Sequence, residues 1–211
     1  MIKFGNFTAN GSRYGDLNQD WIYTSVISDT WVGLVLDGHG LMGERAARVA
    51  GLEMVSFLTN NLGACTSTAE MRRLLSDAFA AGHTACLKIY DTLQPRGGTY
   101  KYPGEGSPHV DEYQICKQRG QFVAKDAEGD PQPLEFGATA TIALLRGDDL
   151  FVAWAGDSSA VLLFEPDDSS TGKHHTAQLL TVPHNGNNPL ERERILRHYT
   201  PHTEVMEDGY I

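Results

Sequence analysis

WVGLVLDGHGLMGERAARVA, residues 31–50, changes its period in the middle. Up to Leu36 it is an apolar, β-branched and aromatic run with the length of a buried strand. From Glu44 to Leu62 the apolar residues Ala46, Ala50, Met54, Val55, Phe57 and Leu58 fall on one face of a helix. Between the two lies Asp37-Gly38-His39-Gly40, a carboxylate and an imidazole set among glycines where the strand runs out. A carboxylate at the buried end of a strand is costly unless it is paired, hydrogen-bonded or bound to a cation. Flanking glycines let backbone carbonyls approach a ligand with no side chain in the way. An aspartate at a strand end also forms turns, so this stretch alone leaves a structural and a chemical reading open.

Working outward, WIYTSVIS follows Asp20 and is joined to WVGLVL through Asp29-Thr30, the pattern of an antiparallel hairpin. A second helix is expected from Ser67, whose spacing to Glu70 is that of a capping box. Its apolar stripe is Met71, Leu74, Leu75, Ala78, Phe79, Cys86 and Ile89, a core-packing face. Residues 92–135 are polar and broken by Gly97-Gly98, Pro103, Gly104, Pro108, Gly129, Pro131 and Pro133, so a loop-rich insertion is expected there. Strands return with FGATATIALLR, LFVAWAGD, SSAVLLFE and AQLLTV, spaced as an antiparallel meander. Asn188-Pro189 then caps a last helix, LERERILRHY. Strands, two helices, strands and a helix predict an α+β layered domain, not a Rossmann alternation.

The 211 residues suffice for one domain with a full core. A net charge of −10 argues against a general nucleic-acid binder, which needs surplus Lys and Arg against phosphate. Cys65, Cys86 and Cys116 are an odd, widely spaced set that suits a reducing compartment. The N-terminal residues lack the apolar segment of a signal peptide, and no run approaches the ~20 apolar residues of a membrane span. A cytoplasmic or nuclear protein with no membrane and no nucleic-acid partner is expected; no motif sets an oligomeric state.

Three carboxylates sit where a strand ends or turns: Asp20, Asp37 and Asp157, the last two in the related contexts VLDG and WAGDS. Oxygen ligands of this kind suit hard cations such as Mg2+ or Mn2+. Four stretches together make the chain similar to the metal-dependent serine/threonine protein phosphatases of type 2C. Asn18-Gln19-Asp20 resembles the first acidic motif of that family and VLDGHG its most diagnostic one. FGATATIALL with LFVAWAGDSSAVLL resembles the central hairpin, and PHNGNNPLERERI the segment leading into its ERI helix.

The resemblance implies two packed antiparallel β-sheets flanked by helices, an αββα sandwich. It implies that Asp37 bridges two Mg2+ or Mn2+ ions with the Gly38 carbonyl as a further ligand, and that Asp20 supports the cluster directly or through water. Asp157 takes the position of an additional, weaker metal site, and His39 that of the general acid protonating the departing serine or threonine oxygen. Two divalent ions ~3.5–4 Å apart hold a bridging hydroxide and screen the phosphoryl charge, and an alkoxide leaves faster with a proton donor beside it. Phosphoprotein substrates follow.

Three departures accompany the likeness. Gln19 stands where an acidic residue is common. Gly15 stands where a basic residue is usual, which makes Arg13 the candidate phosphate contact. The family's remaining strands and two later metal-binding aspartates are expected after the ERI helix, whereas this sequence runs to PHTEVMEDGYI, with Glu207-Asp208-Gly209 read as a surface turn. A C-terminally incomplete domain over residues 1–211 is therefore expected. The alternatives to a phosphatase are a catalytically impaired phosphatase-like binding module, an inactive fragment, or a plain metal-binding α+β protein.

Overall fold

The structure, a computed structural model, describes residues 5–9, 17–93, 96–103, 110–164 and 176–198. Arg13, Gly15 and the Glu207-Asp208-Gly209 turn lie outside the described residues. The first hairpin forms as its alternation demands. Strand β1 (Trp21–Ile27) pairs antiparallel with β2 (Thr30–Leu36) in full register, Trp21 against Leu36 and Ile27 against Thr30. The turn is therefore Ser28-Asp29, one residue earlier than expected, with Ser28 at φ +56°.

After the short β3 (Gly38–Gly40), α1 (Gly43–Asn61) continues through a 3-10 turn at Leu62–Ala64 into α2 (Thr68–Asp91). The α2 capping box is complete: Glu70 N–H donates to Ser67 Oγ at 3.3 Å, and Ser67 N–H to Glu70 Oε2 at 2.9 Å. The N–H and hydroxyl of Thr66, and then the hydroxyl and N–H of Ser67, donate to the Glu70 carboxylate and hold it down at about 2.

Residues 92–135 depart from the loop-rich expectation. They carry β4 (Arg96–Pro103), β5 (Val110–Gln118), β6 (Gln121–Lys125) and β7 (Pro131–Pro133), an antiparallel sheet in that order. Arg119 (φ +48°) and Gly120 (φ +87°) make the two-residue left-handed turn that joins β5 to β6. Two prolines are tolerated in β7 because it is an edge strand, where a missing N–H costs no ladder bond. Ile115, Ala124 and Leu134 pack with Met42, Ala46 and Ile89 in a second small core, which seats this sheet beside the start of α1.

Beyond it come β8 (Phe136–Ala138), paired with β3, then β9 (Ala140–Arg146) and β10 (Asp149–Ala155). The sheet order β1-β2-β9-β10 places Val32 opposite Leu144 and Leu34 opposite Ile142, all four at most 1% exposed. They face Ala47, Ala50, Met54, Leu58, Leu74 and Ala78 of the two helices. The α+β class and the antiparallel pairing are as expected. The described residues nevertheless divide into four sheets, since β11 (Val161–Phe164) and β12 (Thr176–Leu179) pair only with each other. Helix α3 (Pro189–His198) begins where Asn188 Oδ1 accepts the Leu190 N–H at 3.1 Å. No helix among the described residues is long and apolar enough to cross a membrane.

Arg146, at the end of β9, ties the sheet to the end of α1. Its Nε donates to Thr30 Oγ1 (2.7 Å) and pairs with Asp29 (3.0 Å), while the two Nη atoms donate to the Leu62 and Cys65 carbonyls. Arg146→Met is expected to cost about 2 kcal/mol, the worth of charge-assisted bonds at a partly buried site. That lowers the melting temperature by ~4–8 °C for a chain of this size. Arg146→Lys, lacking the planar fork, is expected to recover only part of it. A Met variant melting with the parent in a thermal scan would remove Arg146 from the fold's supports.

Candidate active site

Asp37 leaves β2 where the backbone is crowded on every side. A Cβ at Gly38 would lie 2.3 Å from the Gly43 carbonyl oxygen and 2.6 Å from that of Gln19, so no side chain fits there. The Gly38 N–H donates to the Gln19 carbonyl at 3.2 Å, and Gln19 Nε2 donates to the Gly40 carbonyl at 2.8 Å. Gln19 is thus a buried strap that lays the Asn18-Gln19-Asp20 segment along the Asp37–Gly40 loop. Asp20 is turned by its own N–H donating to Asn18 Oδ1 at 2.9 Å, and its carboxyl reaches hydrogen-bond contact with that of Asp37.

The opposite side of Asp37 is fixed by Thr139, between β8 and β9. Thr139 N–H donates to the Asp37 carbonyl at 2.8 Å, and Asp37 N–H donates to Thr139 Oγ1 at 3.2 Å. The same hydroxyl shares a 2.7 Å hydrogen bond with Ser158 Oγ, next to Asp157. Gly156 (φ +99°) brings that turn so close that a Cβ there would meet Thr139 Cγ2 at 2.6 Å. From the far side, His184 N–H donates to the Gly156 carbonyl at 3.0 Å, and the His184 ring stacks on Trp154. One threonine therefore joins the two strand ends that carry Asp37 and Asp157.

Electrostatics register the result. Burial, then the negative charges of Asp20 and Asp157, hold the Asp37 carboxyl above its ordinary value of 3.8. The charge of His39 pulls the other way, and the hydrogen bond with Asp20 adds to the rise. Two carboxylates in contact need a shared proton or a cation between them. His39 lies on β3 opposite Gly137 of β8, exposed to solvent, with its Cε1 and Nε2 2.8 Å from where a Gly137 Cβ would stand. The imidazole packs on bare backbone, and any larger residue at 137 would displace it.

Asp20, Asp37, His39 and Asp157 thus share one neighbourhood, and Gly38 sits tightly packed within it; Arg13 is outside the described residues. Gln19 and Thr139 were not expected as parts of the site. Thr139 had a sequence signal in its place within FGATAT, whereas its partnership with Asp37, across 102 positions, has no local trace. The Asp20–Asp37 pair, hard oxygen donors in a field of surplus negative charge, fits a divalent cation. Among the described residues no group of three or more His, Cys, Asp or Glu side chains is close enough to hold a metal ion.

Residues 112–199 match the family model described as Protein phosphatase 2C. The match takes in Thr139, Asp157 and α3 and leaves Asp20, Asp37 and His39 outside it. No curated protein matches the chain.

Proposed function

We propose that the chain is a type 2C protein phosphatase, a reading supported by the family match over residues 112–199, and that it hydrolyses phosphoserine and phosphothreonine esters of proteins with Mg2+ or Mn2+. The observation that carries this reading is the contact between the Asp20 and Asp37 carboxylates, with His39 two residues further on. Asp37 and Asp20 would hold the cation with the Gly38 carbonyl, and Asp157 would add a weaker site on the adjoining turn. When bound, divalent cations supply a water nucleophile and positive charge for the phosphoryl oxygens. His39 delivers a proton to the serine or threonine oxygen as its bond to phosphorus breaks. Thr139 and Gln19 keep the carboxylates at fixed separation, and Arg13 is the candidate contact for phosphate. A two-sheet sandwich is consistent with the apolar side of the β1-β2-β9-β10 sheet turned from the helices, where Val35 is 47% exposed. A cytoplasmic or nuclear setting agrees with three free cysteines.

The absence of a three-ligand group among the described residues favours one second reading, a phosphopeptide-binding module without turnover. Release of phosphate from a phosphothreonine peptide, measured with Mn2+ and again with excess chelator, separates them. Turnover abolished by chelator is expected. Binding without turnover supports the module, and neither binding nor turnover overturns both readings. Gly137→Ala should lower turnover by about 10–100-fold, the cost of displacing a reacting group by about an ångström, with Mn2+ affinity unchanged. Full activity in that variant would show that the imidazole does not need its bare platform.

A further inference from the structure

A cavity of about 360 Å³ lies between α2 and the strands β8 to β10, and His39 stands on its rim. It exists because small residues face one another across the gap: Ala50 and Gly82 from the helices, Ala138, Ala140 and Ala155 from the strands. The walls are carbon, chiefly Leu36, Phe79, Leu87 and Phe136, and no Asp, Glu, Lys or Arg lines them. Of the wall groups able to hydrogen-bond, Tyr90 Oη donates to the Leu134 carbonyl at 3.1 Å and Cys86 Sγ to that of Ala46 at 3.5 Å, and the imidazoles of His39 and His83 complete the polar part of the lining. Leu87 is 52% exposed, an apolar side chain offered to solvent. The volume is at the lower end of ligand pockets, about 300–1,000 Å³, which suits one or two side chains and not a folded partner.

We propose that this cavity receives an apolar residue flanking the phosphorylated side chain of a peptide substrate. This rests on the phosphatase reading, which brings the leaving oxygen to His39. The peptide chain attached to that oxygen then runs along the rim that His39 shares with the cavity. Neighbouring residues are only ~3.3–3.8 Å apart along an extended chain, so a side chain within two positions of the phosphorylated residue reaches the opening. An apolar one leaves water there, whereas a lysine finds no carboxylate on the walls.

The test uses fluorescein-labelled peptides carrying a non-hydrolysable phosphonate in place of phosphothreonine, with Leu, Ser or Lys in turn at each of two positions on either side. Binding to the full chain in Mn2+ is read by anisotropy. Leu at one of these positions should bind about tenfold tighter than Ser, equal to ~1.4 kcal/mol, and Lys no tighter than Ser. In Leu87→Asp the Leu/Ser ratio should fall to about twofold or less. Leu87→Ala, which should reduce the ratio in part, serves where the charged variant fails to fold by circular dichroism. Equal affinity across the panel overturns the proposal, as does a ratio unchanged in both variants. A Leu peptide that binds equally well without its phosphonate overturns the phosphatase reading and leaves the cavity as an apolar peptide site. No binding by any peptide overturns both.

Discussion

Asp37→Asn is expected to abolish Mn2+-dependent phosphatase activity and, in metal-free buffer at neutral pH, to raise the melting temperature. The two effects have one origin. The Asp37 carboxylate is partly desolvated and set against Asp20 and Asp157, so its folded-state value lies above 3.8. A raised value means that the folded chain binds this proton more tightly than the unfolded chain does. The site's contribution to stability is therefore most favourable below 3.8 and is lost as the pH rises through the raised folded value. At neutral pH the ionised group costs stability, which asparagine relieves while still able to donate a hydrogen bond to Asp20. Screening at this solvent-touched site limits the gain; a rise of about 2–4 °C, the equivalent of ~1 kcal/mol, is expected. The gap between variant and parent should close as the pH falls to the ordinary carboxylate range, and it should invert when Mn2+ is added to both. Activity above a thousandth of the parent's would remove Asp37 from the cation site. A melting temperature lower than the parent's in chelator would contradict the charge argument.

Local signals were legible in the sequence and long-range ones were not. The Asp37–Gly40 loop stands out because a period of two gives way to a period near four on either side of it. The Ser67–Glu70 box and the Asn188 cap each act within four residues, and both appear where their spacing places them. Residues 112–133 misled for a physical reason. The core positions of their sheet are few, Ile115 and Ala124 with Leu134 just beyond, and the edge strand between them is rich in proline. Alternation is therefore too weak to mark strands, although Arg119-Gly120 between QICKQ and QFVAK is a hairpin turn in hindsight. The same limit governs the site. Gln19 is unremarkable in a sequence, since a glutamine where carboxylates are common suggests a lost ligand. Its worth as a strap exists only once the Gly40 carbonyl is folded to within 2.8 Å. Thr139 gains its role from three partners that only the strand pairing assembles.

His39→Gln is expected to slow turnover of a phosphothreonine peptide by about 10²–10⁴-fold, the range for removing a positioned general acid. Glutamine occupies a similar volume and hydrogen-bonds, but it carries no proton that it can give up. The loss should depend on the leaving group. Serine and threonine depart as alkoxides and need protonation, whereas p-nitrophenolate leaves well without it, so hydrolysis of p-nitrophenyl phosphate should fall by about tenfold or less. Mn2+ affinity should stay within about twofold of the parent's, because the cation is assigned to Asp37 and Asp20 and His39 stands on the next strand against Gly137. That contrast separates chemistry from structure. Equal losses on the two substrates would point to a disturbed cation site, and a variant as fast as the parent on the peptide would take the proton from His39 and require another donor.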